Sequence, residues 1–258
     1  MKVQLLPSTF GSDGGVSQLQ HLSCMIIDDT LAFDAGSLAM SCTDLQREQV
    51  RDVFITHTHL DHTAGLPIFL DDLFSTLVKP VRVHAAAATI EILERDIFNW
   101  SIYPKFSELK NSNGPVLEYC PFEFGSEITI GHLSVRPIRV NHHEPSVGAL
   151  ISDANVSIGI TGDTAETDRV WSEFSKCDDL AAVLVECAFP DELTQLAEVS
   201  HHMTPGRLAV ELEKFTKSNV PVWVINIKPM YREAVVKQIG DLRMPHINIL
   251  EVGRVYDF

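Results

Sequence analysis

The sequence predicts an α/β fold in one domain that covers residues 1–258. Short apolar runs with the length of buried strands recur along the chain. Between them, apolar residues repeat at helical spacing, and no stretch rich in proline or serine divides the chain. Because strand pairs alternate with helices and no linker separates them, one α/β domain is expected.

In the first part of the chain, apolar runs predict strands at residues 3–6, 24–27, 31–33, 53–55 and 81–84. The second and third of these runs flank Asp28-Asp29-Thr30, which is typical of a hairpin turn. After the fourth run, apolar side chains at helical spacing predict a helix through Leu66, Leu70, Leu73, Phe74 and Leu77.

In the second part, apolar runs predict strands at residues 128–130, 133–140, 148–152, 156–161, 181–185 and 222–225. The run at 181–185 is continuous, which indicates a strand buried on both faces. A helix is predicted to begin at Thr204 and Pro205, because threonine can cap a helix and proline fits its first turn. The apolar face of this helix is Leu208, Leu212 and Phe215.

Ionisable residues are densest directly after residues 53–55, where His57, His59, Asp61 and His62 fall within six positions. In extended backbone alternate side chains face the same way, so His57 and His59 can turn to one ion, and Asp61 follows at the same step. His62 breaks the alternation and suits a second ion. Imidazole and carboxylate are ligands for zinc, and also for manganese or iron. This stretch therefore predicts a metal site on a loop between a strand and a helix.

Composition restricts the partners and the compartment. The net charge of −15 opposes binding of DNA or large RNA, although metal ions can reverse the field locally for a small anion. The five cysteines show no CxxC pair, so reduced thiols are expected. No stretch is long and apolar enough for a membrane span, and residues 1–15 lack the apolar core of a secretory signal. A cytoplasmic protein without a membrane partner is expected.

The stretch from Thr56 to Leu66 resembles the signature of the metallo-β-lactamase superfamily. With Leu60 before Asp61 and with Ala64-Gly65-Leu66 after the last histidine, it is most similar to class II 3′,5′-cyclic nucleotide phosphodiesterases. The resemblance runs along nearly the whole chain. It implies a four-layer αββα sandwich, with two sheets face to face, helices outside and the site at one edge.

The resemblance also implies a set of ligands for two divalent metal ions, which we expect to be zinc, with manganese or iron as alternatives. His57, His59 and His142 would hold the first ion, with His143 as the alternative to His142. Asp61 and His62 would hold the second ion.

Two further positions complete the implied ligand set. Asp163, which follows Gly162, corresponds to the carboxylate that bridges the two ions. Asn226 stands where the family has a histidine ligand of the second ion. An amide oxygen is a weaker zinc ligand than imidazole, so the second site is expected to be weaker or differently occupied.

Two residues outside this set are implied to support the site, and a third is added as a hypothesis. Asp34, in Asp34-Ala35-Gly36, resembles a carboxylate that orients ligand histidines. His202, in His202-Met203-Thr204-Pro205, resembles the histidine of the family's His-Leu-Thr-Pro element, with His201 as the competing candidate. Glu186 is a candidate to hold His202 by a hydrogen bond.

The implied reaction is hydrolysis of cyclic AMP or cyclic GMP to the 5′-monophosphate. The metal ions would ionise a water, and the hydroxide would attack phosphorus opposite the leaving oxygen. Asp61 and His202 are the predicted catalytic residues, and His202 would protonate the leaving oxygen or bind a phosphoryl oxygen. The expected partner is a small anionic nucleotide, and the resemblance implies a homodimer.

Three other functions are compatible with the same residues. A tRNA 3′-processing endonuclease uses nearly the same ligands, but it needs basic surface and an RNA-clamping insertion that this sequence lacks. Another hydrolase of the superfamily would act on a thioester or a different phosphodiester. A non-enzymatic metal or nucleotide sensor would have lost the second ion at Asn226.

Residues 99–115 lose periodicity and contain Trp100, Tyr103 and Phe106. Two interpretations are open for this segment. It is either a lid whose aromatic side chains stack on a nucleobase, or a surface loop held by its own aromatic residues.

Overall fold

The computed structural model describes residues 1–143 and 145–258, and these form two compact units. Unit 1 is Met1–Glu123 with Val252–Asp257, and unit 2 is Phe124–Glu251 with Phe258. Glu144, which follows the predicted ligand pair His142 and His143, lies outside the described residues. That the chain is one domain over residues 1–258 stays a prediction.

Unit 1 contains one seven-stranded sheet and a short hairpin. Its strands are β1 (Lys2–Leu5), β2 (Met25–Ile27), β3 (Leu31–Phe33), β4 (Asp52–Phe54), β5 (Val81–Ala86), β6 (Lys110–Asn111), β7 (Gly114–Pro115), β8 (Leu117–Phe122) and, from the end of the chain, β16 (Val255–Asp257). The order in the sheet is β16-β1-β2-β3-β4-β5-β8, and β6 pairs with β7. Strands β3, β4, β5 and β8 run parallel. Their carboxyl ends therefore meet at one edge, which brings Asp34 after β3 close to the residues that follow β4.

The helices of unit 1 are α1 (Leu38–Ser41), α2 (Asp44–Gln49), α3 (Leu60–Thr63), α4 (Gly65–Leu73) and α5 (Ala87–Ile92). The predicted helix after β4 is present as α3 and α4, but it ends at Leu73. A turn follows, in which the amide of Thr76 donates to the carbonyl of Leu73. Leu77, which was predicted inside the helix, is buried beyond its end.

In the segment 99–115, the aromatic side chains favour the interpretation of a loop held by its own residues. Phe106 is buried, and its ring centroid lies 6.0 Å from those of Phe98 and Tyr103. Trp100 is 58% exposed. The lid interpretation stays a prediction.

Unit 2 contains the second seven-stranded sheet. Its strands are β9 (Ile128–Ile130), β10 (Leu133–Arg139), β11 (Val147–Ser152), β12 (Ser157–Ile160), β13 (Leu180–Glu186), β14 (Val222–Ile225) and β15 (Ile247–Ile249), in the order β15-β14-β13-β12-β11-β10-β9. Strands β12 to β15 run parallel. The carboxyl ends of β12, β13 and β14 therefore share one edge, where Glu186 ends β13 and Asp163 and Asn226 follow β12 and β14.

The helices of unit 2 are α6 (Asp168–Lys176), α7 (Thr194–Val199), α8 (Pro205–Leu212) and α9 (Arg232–Asp241). Pro205 occupies the first turn of α8 as predicted. The prediction that the Thr204 side chain caps α8 is wrong, because its buried hydroxyl makes no hydrogen bond to any described residue. Phe215 lies beyond the end of α8, although it is buried. The predicted α/β class is confirmed in both units.

Among the residues that the structure describes, no helix has the length and apolarity that crossing a membrane requires.

Candidate functional site

Asp34 organises the predicted metal-binding loop of unit 1. It follows β3 at a φ of 61° and is buried, and its carboxylate accepts hydrogen bonds from the amide and the hydroxyl of Thr56, each at 2.9 Å. The Nδ1 atom of His62 lies 2.6 Å from its other oxygen. Burial raises the pKa of Asp34, although His62 and Thr56 act in the opposite direction. These contacts hold His62 and Thr56 in place, and the role of Asp34 in orienting metal ligands stays a prediction.

Asp34 also fixes which ring nitrogen of two histidines is available. A carboxylate only accepts hydrogen bonds, so His62 donates from Nδ1, and in the neutral ring the lone pair then lies on Nε2. The hydroxyl of Thr56 uses its proton on Asp34, so its oxygen accepts from His57 Nδ1 at 3.0 Å. His57 therefore also presents Nε2. Histidine ligands of metal ions are oriented in this way, with the second nitrogen donating to a neighbour.

The four predicted ligands of unit 1 form one cluster. The ring centroid of His57 lies 4.6 Å from that of His59 and 4.2 Å from that of His62. The carboxylate of Asp61 lies 4.0 Å from His62 Nε2. His57 and His62 are buried, whereas His59 is exposed at the start of α3. Three imidazoles this close repel one another when protonated, so the cluster favours neutral rings that share a cation.

Two glycines allow the backbone to hold this cluster. A Cβ atom at Gly36 would overlap the carbonyl oxygen of Asp61, and one at Gly65 would overlap that of Ala35. The amide of Gly65 donates to the same Ala35 oxygen at 3.0 Å. Residues 34–36 and α4 can therefore approach only because both positions lack a side chain.

Unit 2 holds a second cluster of predicted site residues. His142, Asp163 and His202 each offer a ligand atom, and these atoms lie within 4.8 Å of one another. His142 Nδ1 donates to the carbonyl oxygen of His201 at 3.0 Å, so its Nε2 is available to a cation. His142 is 6% exposed whereas His143 is exposed, so the structure favours His142 as the ligand.

Glu186 holds His202, as the sequence predicts. The carboxylate is 0% exposed, and one oxygen lies 2.8 Å from His202 Nδ1. It also accepts from the amides of Thr164 and Ala188, both at 3.0 Å. Burial raises the pKa of Glu186. Burial opposes a charge on His202, but Glu186 outweighs burial, so the pKa of His202 lies above its usual value.

His202 is favoured over His201 by its surroundings. The ring of Phe189 packs edge-on against that of His202 with 5.6 Å between centroids. His201 is half-buried at a φ of 54°, and its ring lies 3.2 Å from the side-chain oxygen of Asn141. The buried partner of Glu186 is therefore His202.

Asn226 lies beside Asp163. It follows β14 at a φ of 56°, and its side-chain nitrogen donates to Asp163 Oδ1 at 2.6 Å. A nitrogen that donates this proton has no lone pair for a metal ion. That Asn226 is a metal ligand through its oxygen stays a prediction.

Sequence reasoning missed two residues that orient the site. The hydroxyl of Thr56 links Asp34 to His57 by two hydrogen bonds. The sequence indicated this role only by placing a hydroxyl side chain directly before the first histidine. Arg207 donates to the carbonyl oxygen of His202 at 2.9 Å and pairs with Glu166. Its position inside a helical pattern gave no signal.

The donor atoms in both units fit a divalent cation. Each cluster combines imidazole nitrogens with carboxylate oxygens, which zinc, manganese and iron accept. Three of the histidines direct their N–H groups to oxygen partners. In the neutral rings this arrangement puts the lone pair on Nε2, the nitrogen through which an oriented histidine binds metal.

Known proteins resemble this chain in sequence and in fold. Residues 31–220 match the family model described as "Beta-lactamase superfamily domain". A Yersinia pestis protein described as "Probable 3′,5′-cyclic-nucleotide phosphodiesterase" is 26% identical over 276 residues, which cover 86% of this chain and 78% of that protein. A Triticum aestivum protein described as "Nuclear ribonuclease Z" is 30% identical over 140 residues, which cover 53% of this chain and 72% of that protein.

The fold is similar to a crystal structure of unliganded yeast PDE1. The TM-score is 0.77 at 16% sequence identity, and the match covers 98% of both chains. This likeness concerns the fold alone and agrees with the predicted class. Because the family model matches well over half of the residues, the chain belongs to the β-lactamase superfamily, as its metallo-β-lactamase signature predicts.

Proposed function

We propose that this protein is a metal-dependent phosphodiesterase that hydrolyses 3′,5′-cyclic nucleotides to 5′-monophosphates. The observation that carries the proposal is the pairing of His202 with the buried Glu186 beside a cluster of metal-ligand atoms. A hydrolase for a phosphodiester needs both a cation for the phosphoryl charge and an acid for the leaving oxygen. The Yersinia pestis relative supports cyclic nucleotides as the substrate class.

The proposed ligand set follows the resemblance and the available nitrogens. His57, His59 and His142 would hold a first divalent ion, Asp61 and His62 would contribute to a second, and Asp163 would contribute to both. Zinc is the proposed metal, with manganese or iron as alternatives, because the donors are imidazole and carboxylate.

Bound divalent ions supply a water that ionises near neutral pH and neutralise charge on the phosphoryl oxygens. The residues of the chain do the rest. Asp61 is half-exposed and can accept a hydrogen bond from the attacking water. Glu186 raises the pKa of His202, which favours the protonated ring that donates from Nε2 to the leaving ribose oxygen. Glu186 keeps the other nitrogen protonated and the ring in place.

The test is hydrolysis of cyclic AMP and cyclic GMP by the purified full chain, with the metal content of the same sample measured. We expect 5′-monophosphate as the only product and loss of activity after chelation. Replacement of His202 by alanine should lower kcat by about 10²- to 10⁴-fold, the usual contribution of a general acid. Metal-loaded protein that hydrolyses neither nucleotide would contradict the proposal.

A second candidate is RNA 3′-end processing, which the Triticum aestivum relative favours. The same ligands and the same acid serve the hydrolysis of an RNA phosphodiester. The net charge of −15 opposes this candidate, since RNA enzymes bind the phosphate backbone through basic surface.

A further inference from the structure

The contact between Asn226 and Asp163 joins the ends of two strands in unit 2. Asp163 is buried after β12, and Asn226 is half-buried after β14, at opposite sides of β13 in the sheet order. Asn226 adopts a φ of 56°, a conformation that asparagine tolerates better than most residues. This conformation directs its side-chain nitrogen to Asp163 Oδ1, at 2.6 Å.

We infer that Asn226 positions Asp163 as a hydrogen-bond donor and does not bind metal, so that the chain binds one divalent ion tightly and a second one weakly. The inference rests on the proposed role of Asp163 as a metal ligand. It concerns metal binding alone, and it can therefore fail while the phosphodiesterase proposal stands.

The chemistry of the two side chains determines the direction of this hydrogen bond. A carboxylate has only acceptors, and an amide offers two N–H donors on one side and one oxygen on the other. With the oxygen turned to Asp163, two partial negative charges would face each other at 2.6 Å in a partly buried place. With the nitrogen turned to Asp163, the contact is a charge-assisted hydrogen bond.

The hydrogen bond from Asn226 gives the two carboxylate oxygens of Asp163 different roles. Oδ1 accepts from Asn226, whereas Oδ2 lies 3.9 Å from Nδ1 of His202. That nitrogen lies 2.8 Å from Glu186 and donates to it, so it is not a ligand for an ion next to Asp163. Oδ2 is therefore the oxygen that Asp163 presents to a cation together with His142.

The consequence is an unequal affinity for two ions. Residues that orient a ligand strengthen the ion that the ligand holds, by about 10- to 100-fold in affinity. Asn226 therefore strengthens the ion that Asp163 Oδ2 would hold together with His142, while its N–H group occupies Oδ1, the oxygen that would remain for a second ion. A second ion receives no ligand from position 226 and exchanges readily.

The experiment is calorimetric titration of the metal-free full chain with Zn²⁺ and with Mn²⁺, in the absence of substrate. The variants are Asn226→Ala and Asn226→His, and Asn248→His on β15 is the matched control for an added histidine. Circular dichroism checks that each variant is folded. Histidine, like asparagine, is enriched at positive φ, so Asn226→His is compatible with the backbone.

We expect wild type to bind one ion tightly and a second about 10- to 100-fold more weakly, the size of an orienting effect that only the tight ion receives. Asn226→Ala should weaken the tight ion about tenfold and leave the weak one within a few-fold. Asn226→His should raise the affinity for the second ion about tenfold or more, because imidazole is a better zinc ligand than an amide. Asn248→His should not raise it, because an added imidazole strengthens zinc binding only where other ligands are present.

Two results would overturn the inference. The first is two ions of similar affinity in wild type. The second is an Asn226→Ala variant in which the affinity for the tight ion does not fall, or in which the affinity for the second ion falls instead. A selective loss of the second ion would identify the amide oxygen as its ligand. Both results are read from metal titrations, so neither depends on a hydrolysis assay.

Discussion

At the residue scale, the charge of Glu186 determines whether His202 can act as the proposed acid. The carboxylate is fully buried and bonded to His202 Nδ1, and it raises the pKa of the ring. Replacing Glu186 by glutamine keeps the shape of the side chain but removes the charge. We expect kcat for cyclic nucleotides to fall about 10- to 100-fold, part of the contribution of a general acid.

The control for Glu186→Gln is the double variant with His202→Ala. If both residues act as one unit, the double variant should be no slower than His202→Ala alone. A Glu186→Gln enzyme with unchanged kcat would sink this role for Glu186. Thermal unfolding of each variant separates a loss of folded protein from a loss of catalysis.

Asp52 gives unit 1 a pH-dependent contribution to stability. Burial alone would raise its pKa, but hydrogen bonds from His84 at 2.8 Å and from Arg82 at 2.7 Å outweigh burial and lower it. A carboxyl whose pKa is lower in the folded state stabilises above its unfolded pKa of about 4, and this stability is lost as pH falls through the folded value.

We therefore expect Asp52→Asn to lower the free energy of unfolding at pH 7 by about 1–2 kcal/mol, a modest value because Arg82 is partly exposed. The difference from wild type should shrink at pH 3. Urea unfolding at both pH values measures it. A difference that grows on acidification would mean that the sign of the pKa shift is wrong.

Residue spacing alone predicts members of the candidate site only where they lie close together along the sequence. His57, His59, Asp61 and His62 are adjacent in sequence, so their spacing alone indicates a cluster. Thr56 and Arg207 act through hydrogen bonds to atoms that only the fold brings near. The direction of the Asn226 amide likewise depends on where Asp163 lies, 63 positions earlier.

At the element scale, the predicted metal-binding loop depends on how closely α4 approaches the end of β3. A Cβ at Gly65 would overlap the carbonyl oxygen of Ala35, and a backbone atom cannot move aside as a side chain can. We expect Gly65→Ala to lower the free energy of unfolding by about 1–3 kcal/mol, the usual cost of overpacking. Because Asp34 adjoins Ala35, the variant should also bind zinc more weakly.

The control for this prediction is Gly240→Ala in α9, where a Cβ meets nothing within 4 Å. That variant should be neutral or slightly stabilising, because alanine favours a helix over glycine. Equal stability of the Gly65→Ala variant and wild type in thermal unfolding would show that α4 can shift away from Ala35.

The inner strands of the two large sheets were predicted from the sequence, whereas most of their edge strands were not. The continuous apolar run of β13 and that of β14 lie inside a sheet, and both were predicted. Strands β8, β15 and β16 were missed, and all three lie at a sheet edge, although β9, the other edge strand of the two large sheets, was predicted. An edge strand is paired on one side and less buried, so polar residues interrupt its pattern, as in the exposed-buried-exposed order of β16.

At the scale of the whole molecule, the balance of charge separates the two candidate substrates. The chain carries 35 acidic and 20 basic side chains, and several arginines already pair with carboxylates, such as Arg82 with Asp52 and Arg207 with Glu166. A cyclic nucleotide presents one phosphate, which metal ions alone can neutralise. A tRNA presents a polyanionic backbone, and each contact to it needs a basic side chain.

We therefore expect no binding of a precursor tRNA at physiological salt and no cleavage of its 3′ trailer, in the same metal-loaded sample that hydrolyses cyclic AMP. Fluorescence anisotropy of a labelled precursor measures binding, and gel electrophoresis measures cleavage. Any residual binding to RNA should vanish between low and physiological salt, since a few non-specific phosphate contacts are lost steeply with ionic strength. Cleavage of the precursor at a kcat/KM equal to or above that for cyclic AMP would reverse the assignment and make RNA the substrate.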